Sequence, residues 1–144
     1  YGGGDLNWSR IVPGTMRSLI RGERPIIRSD GTLVRDYLYV QDAVCAYLTL
    51  AEQLERPEVQ GQGFNFGMDD PQSVSAIVQA MIAVSDHPEI EPIVQGNAPN
   101  EIPEQYLASS RAKQVLGWSP AFTLAEGLRE TMAWYREFLA GRAA

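Results

Sequence analysis

The sequence predicts a mixed fold of the α/β or α+β class, and three observations carry that reading. Stretches with helical spacing, such as Val74, Ile77, Val78, Met81 and Ile82, alternate with short β-type runs at residues 25–28 and 33–40. Glycine, proline and Asn/Asp turns separate them. Residues that open or close helices stand where the apolar period changes.

The elements follow in order. Residues 1–7 form a glycine-rich loop. A helix then runs to about Arg21, with Ile11, Thr15, Met16, Leu19 and Ile20 on one face. Pro13 falls in its first turn, where a missing N–H costs little, and Gly22 ends it. Residues 25–28 read as a strand and Ser29-Asp30-Gly31 as a turn. Residues 33–40 read as a second strand, passing directly into a helix over 41–54 opened by Asp42. Its apolar side is Val44, Tyr47, Leu48, Ala51 and Leu54, with Cys45 expected to be buried. A polar loop over 55–62 leads to a short strand at 64–67. Ser73 caps the helix of Ile77 and Met81. Residues 90–94 form another strand, and 95–105 a polar, proline-containing loop. Ser109 or Ser110 caps a helix ending at Gly117. Thr123-Leu124-Ala125-Glu126 is a capping box opening a last helix, which buries Leu124, Leu128, Thr131, Tyr135, Phe138 and Leu139.

The totals narrow the function. A chain of 144 residues is about one domain. Hydrophobic residues make up 44% and charged residues 21%, ordinary for a globular protein. A net charge of −6 with no basic stripe argues against nucleic acid, but one or two local arginines suffice for a small anion. Cys45 is the single cysteine, so there is neither an intrachain disulfide nor a cysteine-based metal site. No apolar run is long enough for a bilayer and no signal peptide is visible, so the reading places the chain in the cytoplasm. The chain opens on Tyr1 in what reads as mid-loop, which marks it as a fragment.

One stretch is chemically unusual. Arg35-Asp36 sits inside the apolar run Leu33 to Val40, where an unpaired charge is costly. An arginine fork suits a phosphate partner. Three motifs then stand in order: Tyr1-Gly2, Arg35-Asp36-Tyr37, and Leu116-Gly117-Trp118-Ser119-Pro120, followed by Glu126-Gly127-Leu128 and Trp134-Tyr135. Together they resemble the NAD-dependent epimerase/dehydratase family, the extended short-chain dehydrogenases, over nearly the whole chain. The resemblance implies the C-terminal part of such an enzyme: a small mixed α/β substrate domain plus the last elements of the Rossmann sheet. Residues 1–144 would be its sugar-nucleotide-binding domain, with the NAD-binding half absent.

The chemistry missing from the chain agrees with that division. Such enzymes need a tyrosine with a lysine four residues on, so that the lysine lowers the phenol's pKa. None of Tyr1, Tyr37, Tyr39, Tyr47, Tyr106 or Tyr135 has one. They also need a glycine-rich dinucleotide turn. Gly61-Gln62-Gly63 starts one but fails at the third glycine. His87, the single histidine, reads as a solvated residue at a helix end. No catalytic, cofactor-binding or metal residue is therefore expected here.

Finer features resemble the CDP-glucose 4,6-dehydratase branch: Gly2-Gly3-Gly4-Asp5, Arg10-Ile11-Val12-Pro13, Pro25-Ile26-Ile27-Arg28, and Asn100-Glu101 before Tyr106-Leu107. Two departures stand against it. Many relatives carry Arg-Pro-Gly-Asp where this chain has Ala98-Pro99-Asn100-Glu101, so that arginine is missing. Typical members of the branch carry Arg-Pro-Trp in place of Arg35-Asp36-Tyr37, which leaves an epimerase or another dehydratase open.

The resemblance implies substrate-binding roles for Arg35 (diphosphate), Arg28 (base or phosphate), Glu101 (ribose), and Asn7 and Arg10 at the helix bordering the nucleotide. Bland alternatives stand beside them. Arg35 could pair with Asp36 or a helix C-terminus, Arg28 and Glu101 could be solvated charges, and Asn7 could be a plain cap. Tyr106, Trp118 and Trp134 read as core. The whole enzyme would use NAD or NADP, act on a nucleotide sugar and form a homodimer. As the resemblance implies, C4 oxidation acidifies the C5 proton; a dehydratase then expels the C6 hydroxyl, and an epimerase returns the hydride to the other face. A non-catalytic interaction module with the same fold is the alternative from another class. An apolar face bared by the missing half is also expected.

Overall fold

Each expected helix forms, while the strands shrink to two-residue ladders. A computed structural model describes residues 1–97 and 99–141. Ala98, compared above with the arginine of relatives, lies outside the described residues. The order is α1 (Ile11–Ile20), β1 (Ile26–Ile27), β2 (Val34–Arg35), α2 (Val40–Glu52), β3 (Gln72–Ser73), α3 (Val74–Ala83), β4 (Ile93–Val94), β5 (Glu104–Gln105), a π-helical turn (Ala112–Leu116) and α4 (Leu124–Ala140).

Apolar spacing builds the main core. Val12, Met16 and Leu19 of α1, Ile77, Val78 and Met81 of α3, and Leu128, Met132 and Tyr135 of α4 meet with Ile27 between them. Each such side chain, fully buried, contributes about 1.5–3 kcal/mol. The helix starts are set locally. Ser73 Oγ accepts the Ala76 N–H at 3.1 Å. Thr123 and Glu126 close the expected capping box, each side chain taking the other's backbone N–H at 3.3 and 2.8 Å. The Tyr135 hydroxyl, its pKa pushed up to about 12 by burial, donates to the Asp5 carbonyl at 2.5 Å and ties the N-terminal loop to α4. Gly3 has to be small there, because a Cβ would collide with the Trp134 ring.

Two small sheets hold the strands. β1 pairs in parallel with β4, Ile26 opposite Ile93. β2 is the middle strand of the other, antiparallel to β3 and parallel to β5, so that Arg35 lies between Gln72 and Gln105.

Several expectations are corrected. The strand expected over 33–40 pairs only at Val34–Arg35. Beyond it, the Asp36 carboxylate takes the Met68 N–H at 3.0 and 3.2 Å, and a side chain replaces the ladder. Residues 64–67 form no strand, since a strand needs a neighbour for its backbone groups. Phe64 instead packs on a second core of Ala46, Val59, Ala112, Leu116 and Trp118. The helix expected to end at Gly117 widens into the π turn and stops there with φ 68°, a left-handed cap. The Ser109 side chain leaves the cap position to bond Asp69 at 2.7 Å. Tyr106 is exposed, while Trp118 is buried as expected.

Helix α2 is turned away from its expected face. It buries Asp42 and Ala46, and exposes Val44, Tyr47 (75%) and Leu48 (58%), with Leu54 exposed just beyond its end. Cys45, expected inside, is exposed with them. The second core accepts only the narrow stripe holding Ala46, and Asp42 accepts the Ala121 N–H at 2.7 Å. The broader apolar side is left bare, and bare patches of this kind drive association. The 144-residue chain should therefore self-associate at high concentration. Replacing Tyr47 and Leu48 with glutamate should restore a monomer by light scattering with an unchanged circular dichroism spectrum. A wild-type chain that stays monomeric would contradict this.

Candidate functional site

Alternation along an extended chain sends neighbouring side chains to opposite sides. Arg35 turns toward the segment at 101–103 and Asp36 toward the loop at Gly67–Asp69. The two do not pair, which removes one bland reading of the Arg35-Asp36 motif. Arg35 Nη1 donates to the Val34 carbonyl at 2.8 Å and to the Pro103 carbonyl at 3.4 Å. Its Nη2 meets Glu101 Oε2 at 3.3 Å. The guanidinium is fixed by backbone on one edge and by a movable carboxylate on the other.

A cleft of about 780 Å³ opens beside it, between α1 and the two small sheets. Arg10, Arg28, Arg35 and Glu101 all line it, so four of the five expected site residues come together. Asn7 does not. Its Oδ1 accepts the Ser9 N–H at 3.2 Å and the Ser9 hydroxyl at 2.5 Å, closing a turn ahead of the helix. Arg10, not Asn7, is the N-cap residue of α1. No side chain caps that terminus and no acidic residue lies in its first turn, which suits an anion nearby.

The charges differ in their commitments. Arg10 is paired with Asp5 at 2.9 Å on the rim. Arg28, exposed after β1, has no ion-pair partner among the described residues. Trp8 and Tyr37 give the cleft aromatic walls. Arg17, which the sequence did not single out, lies over the Trp8 ring at 4.9 Å. Burial pushes the Tyr37 phenol up, against the pull of Arg35. It is a neutral wall, not a base.

A second hollow of about 670 Å³ also carries cations, Arg17, Arg21 and Arg136 among them. It lies where α1, α3 and α4 end. Helix C-termini present partial negative charge, so these arginines answer the helices and an anion is disfavoured. Arg136 is moreover paired with Asp86 at 2.6 Å, and His87 with Glu89 at 3.3 Å at the helix end expected for it.

Behind β2 the loop is locked. Burial raises the Asp36 pKa even though backbone N–H groups stabilise its charge. A Cβ on Gly67 would run into that carboxylate. Asp69, at φ 55°, accepts from the Ser109 hydroxyl and pairs with Lys113 at 2.7 Å. Among the described residues no group of His, Cys, Asp or Glu is arranged to hold a metal. Gly61 and Gly63 follow a turn rather than a strand, so they make no dinucleotide cradle.

Known proteins resemble this chain in sequence and in fold. Residues 1–67 match the profile of the NAD dependent epimerase/dehydratase family. The chain is 28% identical over 143 residues to a CDP-glucose 4,6-dehydratase of Salmonella typhimurium, covering 97% of this chain and 40% of that protein. It is 32% identical over 122 residues to a UDP-glucose 4-epimerase of Mycolicibacterium smegmatis, covering 83% of this chain and 36% of the relative. The crystal structure of UDP-glucose 4-epimerase from Thermotoga maritima with UDP-glucose superposes with a TM-score of 0.80 at 29% identity, covering 96% of this chain and 44% of that one. The chain spans about two fifths of the length of the curated relatives it matches.

The loop lock makes a pH prediction. Hydrogen bonds from Lys113 and Ser109 hold Asp69 down to about 2, below the 3.8 of a free aspartate. A depressed carboxylate stabilises the fold above the unfolded value and loses that contribution as pH falls from about 4 to about 2. Asp69→Asn should therefore destabilise the fold at pH 7 by about 1 kcal/mol, a value reduced for solvent screening. At pH 2, where the folded carboxyl is half protonated, the loss should be much smaller. Denaturant melts at the two pH values read the difference, and an equal loss at both would reject the ionic role.

Proposed function

We propose, since this chain belongs to the NAD dependent epimerase/dehydratase family, that residues 1–144 are the sugar-nucleotide-binding part of an NAD(P)-dependent nucleotide-sugar dehydratase resembling CDP-glucose 4,6-dehydratase. One observation carries the reading: Arg35 is anchored through Nη1 on two carbonyls and keeps its other edge on a cleft with a second cation, Arg28, which has no ion-pair partner among the described residues. Bound NAD supplies the reversible removal of a hydride from a sugar carbon. The residues of this chain do not fit that cofactor, because among the described residues no glycine-rich turn joins a strand to a helix. NAD or NADP is assigned to a part of the enzyme outside these residues, and no step of hydride transfer is derived from them.

What these residues do is bind and orient. In a chain of net charge −6, the cleft gathers Arg10, Arg17, Arg28 and Arg35 against Glu101, with Asp5 paired to Arg10 on the rim. The local excess is positive, which selects a small anion and rejects a polyanion. The Arg35 fork takes the diphosphate, with the N-terminal turn of α1 beside it. Glu101 accepts hydrogen bonds from the ribose hydroxyls. Trp8 and Tyr37 exclude water from the wall.

An epimerase is the second reading, favoured by the similarity to the UDP-glucose 4-epimerases. Offering CDP-glucose and UDP-glucose to the full-length enzyme separates the two, since only the dehydratase yields a 4-keto-6-deoxy sugar. A non-catalytic module would turn over neither.

Two outcomes test the proposal. Arg35→Ala in the full-length enzyme should cost about 2–4 kcal/mol of nucleoside diphosphate binding, and Arg35→Lys should recover only part, because a point charge cannot bridge two oxygens. The melting temperature should fall only modestly, since the Pro103 and Glu101 contacts of the Arg35 guanidinium are exposed and its half-buried bond goes to the carbonyl of the adjacent Val34. A large drop in melting temperature with unchanged affinity by calorimetry would retire Arg35 as the phosphate ligand. The 144-residue chain alone, given NAD and CDP-glucose, should form no 4-keto product; turnover would overturn the assignment of the chemistry to other residues.

A further inference from the structure

We propose that Arg17 is a specificity-determining residue: its guanidinium reads a nucleobase that presents two adjacent hydrogen-bond acceptors, as cytosine does. This rests on the substrate-binding reading of the cleft and adds the base to it. The guanidinium carbon of Arg17 stands over the Trp8 ring, 4.9 Å from its centre. Trp8 packs in turn on the fully buried Tyr135, with ring centres 5.8 Å apart. The arginine is therefore backed by the main core. A guanidinium held over a ring keeps its N–H groups for other partners. Those of Arg17 have neither a hydrogen-bond acceptor nor an ion-pair partner among the described residues. The other cations of the cleft differ. Arg10 is paired with Asp5, and Arg35 is bonded to two carbonyls. Arg28 is exposed and has no ring behind it among the described residues, so it adds charge without a fixed direction. Arg17 also borders the second hollow, in the last turn of α1, but it bonds no carbonyl there.

Position along α1 selects the part of the ligand. Arg10, Gly14 and Arg17 follow at helical spacing on one face, and all three line the cleft. Gly14 puts no side chain between the two arginines, and it has room for none, since a Cβ would come within 2.7 Å of the Trp8 carbonyl oxygen. The diphosphate is assigned to Arg35 and the first turn of α1. Arg17 lies about 10 Å further along the helix axis, past the phosphates and within reach of the base. A fork of donors matches two neighbouring acceptors. Cytosine offers O2 and N3 side by side. Uracil offers N3–H between two carbonyl oxygens, so the fork meets one acceptor and one opposing donor. Arg17 therefore favours a cytidine nucleotide over a uridine nucleotide, although both carry the same ribose and diphosphate.

The test is calorimetric titration of the full-length protein with CDP and with UDP. The variants are Arg17→Ala, Arg17→Lys and Arg35→Ala, with circular dichroism melts to verify folding. The wild type should bind CDP about 10-fold more tightly than UDP, the discrimination of one well-placed fork. Arg17→Ala should weaken CDP about 10-fold and leave UDP within about 2-fold, erasing the preference. Arg17→Lys keeps the charge and the stem over Trp8, so it should fold as the wild type does. It should still lack the preference, because a point charge cannot hold two acceptors. A wild type that binds both nucleotides alike overturns the proposal, and so does a preference that persists in Arg17→Lys. Equal weakening of both nucleotides in Arg17→Ala overturns it as well. A lower melting temperature with the preference intact does the same, since a residue serving only the α1 C-terminus would behave that way. If Arg35→Ala weakens both nucleotides in any of these cases, the cleft reading stands without the proposal. Unchanged binding of both in Arg35→Ala overturns the cleft reading and the proposal together.

Discussion

Alternation along one short strand governs this molecule. Arg35 and Asp36 are adjacent and oppositely charged, yet the extended backbone sends them to different sides, and each finds a different task. Asp36 fastens the backbone at Met68, which fixes the loop behind β2. Arg35 fastens to the Val34 and Pro103 carbonyls, which fixes the segment leading into β5. Had the two paired with each other, the Met68 N–H would lose its acceptor and the cleft would lose Arg35 from its wall. The pair thus serves two sides of one strand, Asp36 holding the loop behind β2 and Arg35 facing the cleft.

The scaffold around it is divided between two cores. The larger unites α1, α3 and α4, and so sets the α1 side of the cleft. The smaller lies under α2 and the π turn. Asp42 joins α2 to the segment before α4: it is 1% exposed, one oxygen accepts the Ala121 N–H, and the other has no partner among the described residues. A half-satisfied buried carboxylate is costly. Its place in the first turn of α2, where the helix dipole favours negative charge, offsets part of that cost. The apolar side of α2 is left without cover, which fits a chain that spans about two fifths of its relatives' length.

Much of this was legible in the sequence, for local reasons. The α3 and α4 starts are written in Ser73 and in the Thr123–Glu126 box, because capping is decided within four residues. The main core followed from helical spacing. The Arg35 cleft was legible because a charged pair inside an apolar run demands an explanation. What failed depended on distant partners. The face of α2 could not be read from its apolar residues, since the core it meets takes the smaller side around Ala46. Strand extent at 33–40 and 64–67 could not be read either, because a ladder exists only where a neighbour lies alongside. Asn7 looked like a helix cap from its position but closes a turn with Ser9, and Arg17 gave no signal until the fold laid it over Trp8.

The central claim is that Arg35 presents its Nη2 edge to a diphosphate while its backbone anchors hold. A crystal structure of the full-length protein with bound CDP tests this most directly. The account predicts a diphosphate oxygen about 2.7–2.9 Å from Arg35 Nη2, with the Nη1 contacts to Val34 and Pro103 and the Asp36 contacts to Met68 unchanged. A nucleotide seated elsewhere, with the Arg35–Glu101 pair intact at its present 3.3 Å, would contradict it.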